Sequence, residues 1–304
     1  MVKQTLILIG GPTASGKSAF AMRLAQSRKG SIINADAMQV YAGLPILTAQ
    51  PDPKDRAEIP HLLYEIFDPC EASSAGKWLA QAKAAIEQVK AAARTPILVG
   101  GTGLYFEALL GGLADIPPIP ECVRAKAQDL YREWGEEKFR AELSRRDPES
   151  AARIKRNDRQ RLIRAFEVVE HTGRTLGEWH KKDSGFGIRD SGVEIERHLL
   201  LPVREELYAA CDARFLKMIE RGAIGEVEKL MARNLSTSLP AMKILGAREI
   251  AAYLRGEIPL SEAIQKAQQM TRNYAKRQLT WFRNKWGENC GFGKDSVNKN
   301  SPSR

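Results

Sequence analysis

The eight residues Gly11-Pro12-Thr13-Ala14-Ser15-Gly16-Lys17-Ser18 fit the pattern Gly-x-x-x-x-Gly-Lys-Ser/Thr, and their flanks restrict the fold more than any other feature of the chain. Before them, residues 6–9 form a continuous apolar run ending in Gly10-Gly11, the pattern of a parallel strand buried on both faces that feeds a tight turn. After them, residues 18–26 carry Phe20, Leu24 and alanines at helical spacing. A strand, a glycine-rich turn and a helix, in that order, make a phosphate cradle. The glycines let successive amides turn toward one anion and the helix N-terminus adds positive potential. Lys17 supplies a point charge, and the Ser18 hydroxyl suits a magnesium ligand. Gly11, Pro12, Thr13, Ala14, Ser15, Gly16, Lys17 and Ser18 are the expected diphosphate-binding residues.

The rest of the chain repeats the alternation. Residues 31–34 read as a second strand and residues 97–99 as a third, ending in Gly100-Gly101. Between them, residues 78–94 place Leu79, Ala82, Ile86 and Val89 on one face of a crossover helix that Thr95-Pro96 ends. The expected fold class is α/β, a P-loop NTPase-like parallel sheet flanked by helices, with a helical insertion. The run Ile116-Pro117-Pro118-Ile119-Pro120 opens that insertion, and residues 181–192, rich in Gly, Ser and Asp, read as a flexible connection out of it. The apolar run His198-Leu199-Leu200-Leu201-Pro202-Val203 is then expected to be another core strand, followed by helices to residue 286 with breaks near Gly222, 236–240 and 256–259. The expected organisation is a core of residues 1–115 and 196–286, an insertion at 116–195, and a polar, disordered tail at 287–304. With 304 residues, 43% of them apolar, the chain can bury a core in each of two units.

Forty-seven Lys and Arg against 37 Asp and Glu give a formal charge of +10, which favours an anionic partner: nucleic acid, acidic lipid or a phosphorylated metabolite. Cys70, Cys122, Cys211 and Cys290 form no Cys-x-x-Cys pair and sit near no His, so neither a disulfide framework nor a zinc site is expected. The first apolar run is too short for a signal-peptide core or a membrane span, so the expectation is a cytoplasmic protein without a membrane partner. His61, His171, His180 and His198 suggest no triad or metal site.

Two further loops carry chemistry. Asp36, in Asn34-Ala35-Asp36-Ala37-Met38-Gln39-Val40-Tyr41, falls just beyond the second strand, where open α/β sheets bind ligands. It could be a general base, hold magnesium through water, or cap a following helix. The third strand ends in Gly100-Gly101-Thr102-Gly103-Leu104-Tyr105, without the acidic residue many P-loop NTPases place there for magnesium, which argues against routine nucleotide hydrolysis. Thr102 could stabilise an oxygen of a phosphate or leaving group, or simply belong to a β-turn. Two stretches look built for polyanions. Residues 153–164 are basic on one face, and residues 271–286 interleave bases with aromatics and contain no acid, as an RNA-contacting helix or a solvated amphipathic face would.

With these residues in view, the chain closely resembles the tRNA dimethylallyltransferases, or tRNA isopentenyltransferases, over residues 5–286. The resemblance rests on the three ordered motifs at 11–18, 34–41 and 100–105. It extends to Asn157-Asp158 through Arg164-Ala165-Phe166-Glu167-Val168, the surroundings of Arg214 and Gly222, and Ala275-Lys276-Arg277-Gln278-Leu279-Thr280-Trp281. It implies transfer of a dimethylallyl group from dimethylallyl diphosphate to the exocyclic amine of the adenosine next to the tRNA anticodon, with magnesium and release of diphosphate. The cradle would then hold a prenyl diphosphate and not ATP. By the same resemblance, Asp36 is the general base, Thr102 lies at the reaction centre, and Lys17, Arg214 and Ser18 with magnesium neutralise the leaving group. Contacts to the tRNA anticodon loop would come from Asp36, Ala37, Met38, Gln39 and Thr102, from Arg124, Gln160, Arg161, Leu162, Ile163 and Arg164, and from Arg248, Arg272, Lys276 and Arg277. A monomer is expected. The chain departs from the family pattern at Ala37, usually Ser, beside His61, commonly followed by a second His, and at Ala247 in Leu245-Gly246-Ala247-Arg248-Glu249, where the family has Ile-Gly-Tyr-Arg-Glu.

Three rival readings share the cradle: a small-molecule phosphotransferase, a prenyltransferase acting on free adenylate, and a noncatalytic RNA-binding protein. The first leaves the basic stretches without a purpose, and the insertion and the basic C-terminal helix favour tRNA over the second.

Overall fold

The computed structural model describes residues 5–182, 187–188 and 192–286. The expected tail at 287–304 and most of the connection at 181–192 lie outside the described residues. In chain order the elements are β1 (Thr5–Gly10), α1 (Lys17–Ser27), β2 (Gly30–Asn34), α2 (Pro53–Glu58), β3 (His61–Leu62), α3 (Ala75–Ala91), β4 (Thr95–Gly100) and α4 (Gly103–Gly111). There follow α5 (Glu121–Arg146), α6 (Pro148–Arg153), α7 (Arg159–Thr172), α8 (Leu176–Lys182), β5 (Glu194–Leu199), α9 (Arg204–Glu220), α10 (Ala223–Ala232), a 3-10 turn (Pro240–Lys243), α11 (Ala247–Leu254) and α12 (Leu260–Trp286).

The strands form one sheet in the order β3-β2-β4-β1-β5, every neighbouring pair parallel. One register row shows how polarity is distributed across it: His61, Ile32, Ile97, Ile7 and Glu196 lie side by side. The central strands, covered on both faces, are buried almost throughout and carry apolar runs, and the two edge strands do not. That difference explains two departures from the sequence reading. β3 is only two residues long and leaves no periodic trace. The last core strand is β5, residues 194–199, and not the run at 198–203. Its residues are only partly buried, so the strand lacks a continuous apolar signature; the Leu200 amide makes the last bond to β1, at the Gly10 carbonyl, and Pro202 cannot donate to a ladder.

The chain divides into two compact units, residues 1–107 with 192–304, and residues 108–191. The sequence placed the insertion at 116–195; the second unit begins within α4, ahead of the prolines. A Cβ on Gly187 would stand 2.1 Å from the Leu110 carbonyl oxygen, so the end of α4 packs against backbone of its own unit. The core of this unit gathers Phe139, Leu143, Leu162 and Phe166, with the two phenylalanine rings 4.8 Å apart. Buried Asp147 joins its helices, accepting the Ser150 amide at the start of α6 and the Leu176 amide at the start of α8. The basic stretch at 153–164 is not one helix. α6 ends at Arg153, Asn157 takes φ 65°, and Asp158 caps α7 by accepting the Arg161 amide.

In the first unit, α12 crosses the carboxyl ends of β1 and β4. A Cβ on Gly10 would meet the Phe282 ring at 2.6 Å, one on Gly101 would meet the Gln278 amide at 2.3 Å, and one on Gly103 would meet the Trp281 ring at 2.4 Å. The aromatic residues of 271–286, read from sequence as a possible base-stacking face, are in large part packing against glycine backbone: Phe282 and Trp286 are buried. On the other side of the sheet, buried Trp78 of α3 donates its indole N–H to the Asn34 carbonyl and stacks on Tyr105 at 4.1 Å.

Gly100 is the tightest of these contacts, since a Cβ there would sit 2.0 Å from the Ala35 carbonyl oxygen, between two backbones that cannot yield. Gly100→Ala is expected to lower the free energy of unfolding by about 3 kcal/mol, measured by urea denaturation. Gly225→Ala, where α10 leaves open space around the glycine, should be neutral or stabilise by about 0.5–1 kcal/mol.

Candidate functional site

The cradle begins where β1 runs out. Ser15 closes a turn onto the Pro12 carbonyl, Ala14 adopts φ 62°, and α1 starts at Lys17 behind Gly16, with no side chain capping it. The amides of its first turn are therefore open to an external anion. Lys17 curls back to donate to the Pro12 carbonyl at 3.1 Å. Its ammonium is lowered to about 8: burial is the main cause, the nearby Arg214 guanidinium adds to it, and the Asp36 carboxylate opposes it. The Ser15 hydroxyl is buried with no hydrogen-bond partner among the described residues. An orphaned hydroxyl, open amides and an ammonium short of counter-charge are what an anion would satisfy.

Arg214 reaches the cradle from α9 and donates to the Thr13 hydroxyl; burial lowers its pKa as well. It lines a cavity together with Thr13 and Asp36. Met38, Leu47, Phe215, Met218, Ile244 and Leu245 form the apolar part of the wall, and Thr48, Cys211, Thr271 and Tyr274 complete it. The cavity is cationic at the cradle and greasy beyond it.

Asp36 is fixed by its own turn. Its backbone N–H donates to the Asn34 side chain at 2.9 Å, and its carboxylate accepts the Met38 amide at 2.9 Å. No helix follows it before Pro53, so the helix-cap alternative falls away. Thr102 binds the same segment, accepting the Ala37 amide at 2.9 Å on its hydroxyl. Tyr64, Tyr105 and Tyr274 all have pKa values raised by burial first and by the Asp36 charge second, so these phenols stay protonated around the carboxylate.

The cradle, Asp36, Thr102 and Arg214 thus share the first unit, and Thr13, Asp36 and Arg214 open on one cavity. The residues expected to meet RNA fare differently. Gln39 uses its amide nitrogen on the Thr48 and Ala49 carbonyls and so ties a loop. In the second unit Leu162 and Ile163 are buried in the core, which leaves Gln160, Arg161 and Arg164 as the side chains of that stretch that reach the surface, with Arg124 exposed on α5. Arg161 pairs with Asp158 and Arg164 with Glu167. In the first unit Arg248, Lys276 and Arg277 are exposed, while Arg272 is engaged by both oxygens of Asp212.

Two residues escaped the sequence reading. Glu226 of α10 accepts the Ile46 and Leu47 amides, both at 2.8 Å, and so pins the loop that lines the cavity; burial raises its pKa. Gln278 of α12 bridges Thr13 and Gly101. Neither pairing has a local sequence signal, because each partner lies well over a hundred positions away.

Residues 39–285 match the model of the IPP transferase family, and residues 4–59 that of isopentenyl transferases. The chain belongs to the IPP transferase family. It is 51% identical to a tRNA dimethylallyltransferase of Rhodospirillum centenum, across 91% of this chain and 88% of the relative, and 50% identical to one of a Caulobacter species, across 92% and 89%. Among solved structures it is similar to a tRNA isopentenylpyrophosphate transferase of Bacillus halodurans, with a TM-score of 0.64 at 34% identity, covering 93% of this chain and 88% of that one. A eukaryotic dimethylallyltransferase acting on tRNA gives a TM-score of 0.79 at 27% identity, covering 92% and 70%. As in these IPP transferases, the fold is a P-loop-like α/β sheet.

No group of three or more His, Cys, Asp or Glu side chains among the described residues could hold a metal ion. The donor set does fit magnesium held through a bound diphosphate, since that ion keeps its waters, takes phosphate oxygens and needs few protein ligands; Ser18, exposed on the first turn of α1, is the hydroxyl available.

Because the cradle needs a charged Lys17, the affinity for inorganic diphosphate is expected to be full below about pH 8 and to fall as the pH rises through that value. Lys17→Arg should carry this alkaline limb to higher pH. Titration calorimetry across the range measures both.

Proposed function

We propose that this IPP transferase moves a dimethylallyl group from dimethylallyl diphosphate onto the exocyclic amine, N6, of the adenosine adjacent to the anticodon of tRNA, releasing diphosphate. The observation that carries this reading is that one cavity is lined by Thr13 of the cradle, by Arg214, by Asp36 and by an apolar wall. An anionic head, a short hydrocarbon and an amine acceptor each find their chemical complement there.

An adenine amine is a weak nucleophile, and its proton must leave as the new carbon–nitrogen bond forms. Asp36 takes that proton on its carboxylate, held in place by the Met38 amide. As the amine attacks C1 of the dimethylallyl group, the C1–oxygen bond breaks and its electron pair leaves with the diphosphate. Lys17, Arg214 and the open amides of α1 meet that charge. Ser18 would hold magnesium together with the diphosphate, and the ion would supply further positive charge to the leaving group. Thr102 keeps the Asp36 segment in register through the Ala37 amide. Apolar residues of the wall exclude water, which protects whatever carbocation character C1 develops. The cradle serves a prenyl diphosphate in place of ATP.

The acceptor base lies in a stacked loop and has to be flipped out to reach Asp36. Cations suited to the RNA backbone are exposed Arg124 and Arg161 and half-buried Arg164 in one unit, and exposed Arg248, Lys276 and Arg277 in the other. We read the enzyme as a cytoplasmic monomer. No described helix is long and apolar enough to cross a membrane.

Incubating the protein with magnesium and labelled dimethylallyl diphosphate, with unmodified tRNA, AMP or no acceptor, should place label in tRNA alone. Asp36→Ala should reduce transfer by about a hundred- to ten-thousandfold while tRNA binding survives. Label found only in AMP, or undiminished turnover by Asp36→Ala, would overturn the assignment.

A further inference from the structure

Gln278 is only 5% exposed, and its amide spans the gap between the cradle and the loop that follows β4. Its carbonyl oxygen accepts the Thr13 amide at 2.8 Å, and its NH2 group donates to the Gly101 carbonyl at 2.8 Å. The two partners fix which end of the amide is which, since a backbone N–H can only donate and a carbonyl can only accept. Gly101 has no room for a Cβ beneath this amide. Pro12 has no N–H, so Thr13 carries the first amide after it in the cradle, and that amide is committed to Gln278. Arg214 holds the Thr13 hydroxyl from another element. Thr13 is therefore gripped at its backbone by α12 and at its side chain by α9, and Gly101 leads directly into Thr102.

We propose that Gln278 is a positioning residue for the diphosphate: it locks the start of the cradle to the Gly101-Thr102 turn, so that the anion site at Thr13 and the segment bearing Asp36 keep one fixed separation. It touches neither substrate nor reacting atoms and acts through Thr13. The inference rests on the cradle being a diphosphate site, whatever group the diphosphate carries. A neutral amide suits the task for a second reason. A carboxylate in its place would lose the donor to Gly101 and set a negative charge beside the bound anion, whereas a protonated carboxyl would offer the same acceptor and donor as the amide.

Gln278→Met, similar in size but without either hydrogen bond, should weaken binding of inorganic diphosphate with magnesium by about tenfold or more, equally at all pH values relative to the wild type. The KM for dimethylallyl diphosphate should rise with it, and the KM for tRNA should not. Gln278→Glu should be as impaired at alkaline pH but recover toward the wild type as the pH is lowered through the titration of a carboxyl raised by burial. Calorimetry with inorganic diphosphate reads both variants. Unchanged diphosphate affinity in a folded Gln278→Met, or a Gln278→Glu that fails to recover at low pH, overturns the inference. Should Gln278→Met not fold, the pH dependence of Gln278→Glu decides alone. A wild type that binds diphosphate and shows this rescue pattern in its variants, yet transfers no dimethylallyl group, would refute the proposed reaction and leave the role of Gln278 standing.

Discussion

The arrangement of this protein depends on one close approach, the laying of α12 across bare backbone at the carboxyl ends of β1 and β4. Gly10, Gly101 and Gly103 each lack the Cβ that would collide with Phe282, Gln278 and Trp281. Side chains and backbone meet there at distances that only glycine allows, so helix and loops share one position with little freedom to slide. The ends of parallel strands are where an open sheet binds its ligand. By occupying part of that edge, α12 confines the ligand to the remainder, the cavity beside Thr13, Asp36 and Arg214.

The electrostatics of that cavity are unbalanced by design of the fold. Lys17 and Arg214 are both buried enough to have lowered pKa values, and they repel each other. Asp36 offers partial relief and is the only carboxylate lining the cavity among the described residues. A folded-state pKa of about 8 against an ordinary 10.5 means that the charged Lys17 disfavours the unliganded fold at neutral pH, and that this cost fades as pH rises between those values. An incoming anion would remove the cost and form charge-assisted contacts with both cations, which is the form binding energy takes in a preorganised anion site.

Much of this was legible in the sequence, for reasons that also define what was not. The central strands and the cradle are local patterns: continuous apolar runs, glycines and a helix at fixed spacing, so residues 6–9, 31–34 and 97–99 each fall within an observed strand. Edge strands β3 and β5 are half-exposed and carry no such pattern, which is why the last strand was expected several residues too late. The aromatics of α12 could not be told from a base-stacking face, because the glycines that receive them lie about 180 to 275 positions earlier in the chain. Leu162 and Ile163 illustrate the same limit, since a basic segment also contributes the core side of its helix.

The departures at Ala37 and Ala247 test which parts of such a site must be side chain and which can be backbone. Ala37 contributes its N–H to the Thr102 hydroxyl, a bond that any residue other than proline can make, so the coupling of the Asp36 segment to the β4 loop survives the loss of a Ser hydroxyl. Ala247 is 4% exposed at the start of α11, directly after Gly246, whose φ of 87° brings its backbone against the Phe215 ring. Phe215 itself lines the cavity wall. The aromatic side chain usual at 247 is therefore absent from a position that is already packed, next to a wall that another aromatic supplies from α9. In the proposed reaction the groups that must be side chain are a carboxylate at 36, a hydroxyl at 102 and cations at 17 and 214, whereas at 37 and 247 backbone geometry or a neighbouring ring carries the contact.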